Sequence, residues 1–346
     1  MNTKLLITTL ALGVLASVVG VQVIKSNEGQ SEFSERSLLS LAKASIDLTQ
    51  VEKIAVSNKD LSPLVQAQLV LQNWQLAELH GYEADTEQLS ALLQSLSDAK
   101  VVELKTRKAE NHHRLGLAEL NAEEGQGTVV ILSHGAETLS LMVGKTASSG
   151  VGQYVRFVSE DQTYLIDQQF DLPSKPEDWL RTEVFDLEFD QLRGLEVAHS
   201  GESFRIVRDE LPIEAKEQEA ELPLEDKPDY QLASNFKLVS MPEGRELEYG
   251  SILDGLVRNV LGVKAKGVML KEAAEGFSQT HEFTLDYKLD EQAHNLQFSL
   301  LSDNGDEAKY WLSLADSKWL VQISDFDYKQ ITKQKEDFFQ ALDTEE

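Results

Sequence analysis

Apolar and polar positions alternate along much of this chain, the period-2 signature of half-buried strands. Val51–Ser57 (VEKIAVS) predicts a strand, with Leu69–Leu76 (LVLQNWQL) as its hairpin partner. At Tyr82–Ala99 the period becomes helical. Leu89, Leu92, Leu93 and Leu96 fall at i, i+3, i+4 and i+7, and Asp85 with Gln88 reads as a capping box. Lys100–Lys105 is a strand candidate. A meander follows over Thr128–Ser133, Thr138–Val143, Tyr154–Ser159 and Thr163–Asp167. Its turns fall at His134-Gly135, Gly144–Gly152 and Glu160-Asp161. Ser174 then caps a short helix, with Pro176 in its first turn, Glu177 completing a capping box, and Trp179 and Leu180 on its buried side.

The same grammar then returns. Leu192–Ala198 (LRGLEVA) matches Val51–Ser57, and Glu202–Arg208 continues as a hairpin arm. Tyr230-Gln231-Leu232 stands where Trp74-Gln75-Leu76 stood. A helix over Tyr249–Leu261 carries Ile252, Leu253, Leu256, Val257, Val260 and Leu261, and Lys266–Leu270 matches Lys100–Leu104. A second meander spans Glu282–Tyr287, Asn295–Ser302, Lys309–Leu314 and Trp319–Ile323. YLID at Tyr164–Asp167 matches LVQI at Leu320–Ile323, and KPEDWL at Lys175–Leu180 matches QKEDFF at Gln334–Phe339. The spacings differ between matches, so insertions separate the copies. The alternative is two successive α+β units that share only strand-helix-strand grammar. Asp209–Asp229 interrupts the second set with nine acidic residues, two lysines and three prolines, a solvated loop inserted between two strands.

Leu5–Ile24 is an uncharged run of 20 residues between Lys4 and Lys25. As a helix it crosses the roughly 30 Å of bilayer hydrocarbon. A retained anchor and a signal peptide cleaved near Val18-Val19-Gly20 both fit. The short N-terminal tail places the rest of the chain outside the cytoplasm. The expected organisation is therefore α+β throughout, with mainly antiparallel sheets. Residues 1–25 form a transmembrane anchor or signal helix and 26–44 a polar spacer. Residues 45–190 form a first repeat, and 191–346 a similar second repeat with the acidic insertion 209–229.

Charge and composition narrow the function. A net charge of −27 over 346 residues opposes nucleic-acid binding, which needs a basic patch, and opposes adhesion to anionic lipid. With no cysteine, disulfides, thiolate catalysis and Cys-ligated zinc are excluded, in keeping with an oxidising extracytoplasmic space. Gly144-Lys145-Thr146 lacks the leading glycine of a P-loop, since Leu139 stands there, so no nucleotide is expected; Gly144, Gly150 and Gly152 read as positive-φ turn residues. The seven histidines form no ligand spacing and read as surface or loop residues. Glu160-Asp161, Glu177-Asp178 and Asp303/Asp306 read as turn and helix-start caps, and Trp74, Trp179, Trp311 and Trp319 as core before carbohydrate platform. No catalytic, cofactor-binding or metal-ligating residue is assigned.

VEKIAVS leading to NWQL, the DTEQLSALLQSL helix, LSLMVGK followed by YVRF and TYLID, and PEDWLRTEVFDLEFDQLRGLEV together resemble the DUF4340 family of bacterial membrane-anchored extracytoplasmic proteins. The resemblance is best over residues 45 to 200. It implies a non-enzymatic accessory or scaffold role beside ABC-type transport systems of the gliding-motility type. Transporter subunits would be partners, and the chain would sit in the inner membrane by a single span with its globular part in the periplasm. The alternatives are an envelope-polymer (carbohydrate) binding module and a periplasmic hydrolase with an unrecognised site.

Overall fold

The computed structural model describes residues 36–44, 46–57, 62–119, 127–208 and 235–341. The proposed membrane helix at Leu5–Ile24, the match at Tyr230–Leu232 and the acidic insertion 209–229 lie outside these residues. No helix among the described residues is long and apolar enough to cross a membrane. The chain divides into two compact units, Met1–Trp179 and Leu180–Glu346.

In the first unit the strands are β1 (Lys53–Ser57), β2 (Pro63–Val70), β3 (Asn73–Leu76), β4 (Tyr82–Glu83), β5 (Val101–Leu104), β6 (Thr128–His134), β7 (Glu137–Thr146), β8 (Gln153–Phe157) and β9 (Thr163–Ile166). They form one sheet in the order β4-β3-β2-β1-β6-β7-β8-β9-β5, with every pair antiparallel. Helix α1 (Thr86–Asp98) buries Leu89, Leu92 and Leu96, the stripe read from the sequence. Asp85 caps it by accepting the N–H groups of Glu87 and Gln88. The short helix α2 (His112–Leu115) follows β5, and Leu115 packs with Leu117, Val129 and Met142.

In the second unit the strands are β10 (Leu192–His199), β11 (Glu202–Arg208), β12 (Phe236–Leu238), β13 (Gly267–Leu270), β14 (Ser278–Leu289), β15 (Gln292–Ser302), β16 (Tyr310–Leu314) and β17 (Trp319–Ile323). Their order is β12-β11-β10-β14-β15-β16-β17-β13, again antiparallel. Helix α3 (Ile252–Leu261) buries Ile252, Leu253, Leu256, Val257 and Val260. Helix α4 (Asp325–Ile331) follows β17. The α+β class with mainly antiparallel sheets is thus observed in both units. Apart from β4, the two sheets share one strand order.

The ladders align residue by residue. Ile54 faces Ala67 and Leu132, while Leu195 faces Ile206 and Leu285. Val155 faces Val143 and Tyr164, while Leu312 faces Leu300 and Val321. Tyr164 therefore corresponds to Val321, one residue away from the match of Tyr164 with Leu320 read from the letters. A one-residue slip would exchange the two faces of a strand. The ladder alignment instead sets buried Thr163, Tyr164 and Ile166 against buried Leu320, Val321 and Ile323. Likewise Phe236-Lys237-Leu238 occupies the place of Trp74-Gln75-Leu76 beside the preceding strand.

The correspondence extends to the segments flanking each sheet. Residues Ser37 and Lys100 form an isolated antiparallel bridge, as do Glu183 and Lys264. The 3-10 turns Leu48–Gln50 and Phe189–Gln191 lead directly toward β1 and into β10. The 3-10 turns Pro176–Trp179 and Lys335–Phe338 close the units, each burying one ring, Trp179 and Phe338. Their terminal carbonyls accept the N–H groups of Asp85 and Glu248, just ahead of α1 and α3. The division at Trp179/Leu180 precedes the boundary at 190/191 drawn from the sequence. Residues 180–191 act as the lead-in of the second unit, because Thr182 accepts the Ala265 N–H and Phe185 packs against Phe298.

Several local readings are corrected. Leu69–Leu76 is not one strand: Leu71 (φ 49°) and Gln72 (φ 72°) form a tight turn between β2 and β3, leaving Leu71 92% exposed. Tyr82–Glu83 pairs as β4, since α1 starts only after its Asp85 cap. In the closing turn the capping carboxylate belongs to Asp178, not Glu177; it accepts the N–H groups of Ser174 and Lys175. Gly144 has no positive φ. It is glycine because a Cβ there would stand 2.3 Å from the Leu115 carbonyl oxygen.

Candidate functional site

The most distinctive surface feature lies at one end of the second sheet. Strand β10 ends at His199, and the chain reverses through Ser200 (φ 50°) and Gly201 (φ 86°) into β11. Both central residues at positive φ is the geometry of a two-residue hairpin turn that follows the strand twist. Beside it, the β14 ladder to β15 shifts register between Gln279 and His281. On the β10 side, Ala198 faces Glu282, and the next residues along, His199 and His281, stack with ring centroids 4.3 Å apart and planes 18° apart. Tyr328 of α4 meets His281 edge-on at 6.0 Å and is itself stacked on Tyr310 at 3.6 Å. His199, Ser200, Gln279, His281, Glu282 and Tyr328 line a groove of about 550 Å³.

Hydrogen bonding fixes the chemistry of the exposed ring. The Thr280 carbonyl lies 2.7 Å from His199 Nδ1 and can only accept, so Nδ1 carries the proton. In the neutral ring Nε2 is then the acceptor, and the Ser200 hydroxyl donates to it at 3.1 Å. His281 is 8% exposed, and its Nδ1 is buried without a partner. Burial, reinforced by the neighbouring His199, pushes its pKa down to about 4, so at neutral pH it is uncharged. Gln279 donates to the Glu282 carboxylate at 2.6 Å. Glu282 is the one acidic side chain among the lining residues. Ser200 sits at an exposed hairpin tip, in solvent.

The first unit has a different polar centre, and it is internal. Arg156 is 1% exposed and donates from Nη1 to the Glu160 carbonyl at 3.0 Å. Its Nη2 lies 3.5 Å from the Glu119 carboxylate. His112, fully buried, approaches the Asp161 carbonyl through Nε2 at 3.0 Å and Glu119 through Nδ1 at 3.7 Å. These contacts pin the β8–β9 turn to the segment after α2. They pair the two terminal nitrogens of a buried cation with carbonyls and one carboxylate, while Nε stays without a partner. His112 and His281 are buried, unlike the surface or loop setting expected for all seven histidines.

The remaining motifs have structural settings. Gly144-Lys145-Thr146 ends strand β7, and Lys145 donates to the Arg114 carbonyl at 3.3 Å. Asp303 accepts the N–H groups of Lys309 and Gly305, and those bonds hold its carboxyl below the usual range, as for a hairpin turn. Trp179 and Trp311 are buried, and Trp319 is partly buried with the Lys318 ammonium 4.6 Å from its ring centroid. Among the described residues no group of three or more His, Asp or Glu side chains could hold a metal ion.

Comparison with known proteins gives one match. The family described as "Domain of unknown function (DUF4340)" matches residues 74–291. No curated protein and no solved structure matches the chain. The matched stretch starts in β3 and ends just past β14, so it runs across the division at Trp179/Leu180.

Proposed function

The chain belongs to the DUF4340 family, and on that premise we propose that it is a non-enzymatic, membrane-anchored accessory protein that presents two copies of one α+β module to an ABC-type transport system from the periplasmic side of the inner membrane. The observation that carries this reading is the common strand order, extended by matching lead-in bridges and closing turns, on a chain headed by the uncharged run Leu5–Ile24. Tandem copies of one module supply paired docking surfaces without any catalytic residue. The acidic balance of the chain favours cationic partners.

Affinity purification of the tagged full chain from detergent-solubilised membranes tests the proposal. Co-purification of an ATPase and a permease subunit is expected, and reproducible recovery of the protein alone overturns it. Retention in the membrane pellet after alkaline carbonate washing tests the anchor separately. A second reading, a binding module for envelope polymer, is favoured by the groove at His199 and His281 rather than by the tryptophans.

A further inference from the structure

We infer that the groove between the Ser200-Gly201 hairpin tip, β14 and α4 is a binding site for a neutral saccharide. Five observations support this.

The groove, at about 550 Å³, falls in the size range of small-molecule pockets, roughly 300–1,000 Å³. Its wall contains planar rings: the His199–His281 stack and Tyr328, itself backed by Tyr310. Flat π-faces suit the apolar C–H face of a pyranose. Around the rings stand Ser200, Gln279 and Glu282, whose hydroxyl, amide and carboxylate groups can pair with vicinal hydroxyls. No Lys or Arg lines the groove, and Glu282 is its one acidic side chain, so a carboxylated or phosphorylated ligand would be repelled. The unpartnered Nδ1 of the nine-tenths buried His281 marks this as a place where polar satisfaction has been given up beside an open cavity.

The inference stands on the groove alone. Failure to find transporter subunits would leave it intact, and its own failure would leave the accessory role intact. The test uses the full chain in a detergent without a sugar headgroup, titrated at pH 7.5 with maltotriose and with tri-N-acetylchitotriose, while the histidine Hε1 resonances are followed. At least one neutral trisaccharide is expected to shift two of the seven histidine signals, and His199→Ala and His281→Phe assign those two. His199→Ala and Ser200→Ala should each weaken binding at least fivefold, with the melting temperature of Ser200→Ala unchanged. His294→Ala, at the Tyr287 stack on the same hairpin, should bind normally. The inference is overturned if neither trisaccharide moves these signals, if both His199→Ala and Ser200→Ala bind like the parent, or if glucuronate or glucosamine binds more tightly than the neutral sugars.

Discussion

The two units share a framework and differ in where they place their polar groups. The first buries a cation, Arg156, and closes carbonyls and Glu119 around it. The second has Ser313 at the matching ladder position, buries the Asp254 carboxylate in α3, and places His199 and His281 at the mouth of a groove. A buried charge needs partners, and the carbonyls and Glu119 around the Arg156 guanidinium tie the β8–β9 turn to the segment after α2, although Nε stays without one. A neutral imidazole can stay partly unpaired at lower cost, as Nδ1 does in His112 of the first unit and in His281 of the second. The shared ladder thus carries the fold, and the deviations from it carry whatever the units do separately.

The largest effects should come from what is shared. Trp179→Ala and Phe338→Ala remove the ring that closes each unit, and each should cost about 3–5 kcal/mol in chemical denaturation. A large loss in one variant and none in the other would break the comparison. Next comes the contrast at Arg156. Arg156→Ala leaves carbonyls and Glu119 unpaired and should cost about 3 kcal/mol, whereas Ser313→Ala should fall within about 0.5 kcal/mol. Equal costs would mean that the cation is not what distinguishes the first unit.

The second unit should show its own pH dependence. His281 has a folded-state pKa near 4 against an unfolded value of 6.5. Between those values the unfolded chain binds the extra proton, so stability is full above about pH 6.5 and declines as pH falls toward about 4. The loss should amount to about 3 kcal/mol. His281→Phe, which keeps an aromatic ring against His199, should flatten that part of the profile, and an unchanged slope would contradict the assignment. The smallest contrast is at the helix starts. Asp85 accepts two N–H groups of α1, while Ser251 makes no side-chain cap to α3. Asp85→Ala should cost about 1 kcal/mol and Ser251→Ala close to nothing, as read by thermal unfolding.

The pattern of the sequence made much of this legible, for identifiable reasons. Alternation located both meanders to within a few residues, because each strand presents one face to a core. The Asp85 cap and the Leu89–Leu96 stripe were legible because helix starts and apolar periodicity are local. What failed was non-local or sat at a turn. Leu71-Gln72 carries no Gly or Asn, so the positive-φ turn between β2 and β3 had no signal. Arg156 falls on a strand where alternation gives a charge the outward position, and its burial depends on carbonyls from the next turn. His199 and His281 are brought together by the pairing of β10 with β14 across more than 80 residues of sequence, which no local pattern records. The seven histidines could therefore be searched for ligand spacing without revealing the stack. The Tyr164–Asp167 match slipped by one residue because short apolar strands resemble their own shifted copies.

The lead-in bridges test the common framework most directly, since they extend it beyond the sheets and place residues 180–191 with the second unit. The chain contains no cysteine, so one introduced pair gives an unambiguous cross-link. Facing residues on antiparallel segments hold their Cβ atoms about 4.5–5.5 Å apart, close enough to join after a small shift. Under mild oxidation of the full chain, Ser37→Cys with Lys100→Cys and, separately, Glu183→Cys with Lys264→Cys should both close, at comparable rates. Closure of the first pair with the second remaining reduced would contradict the account.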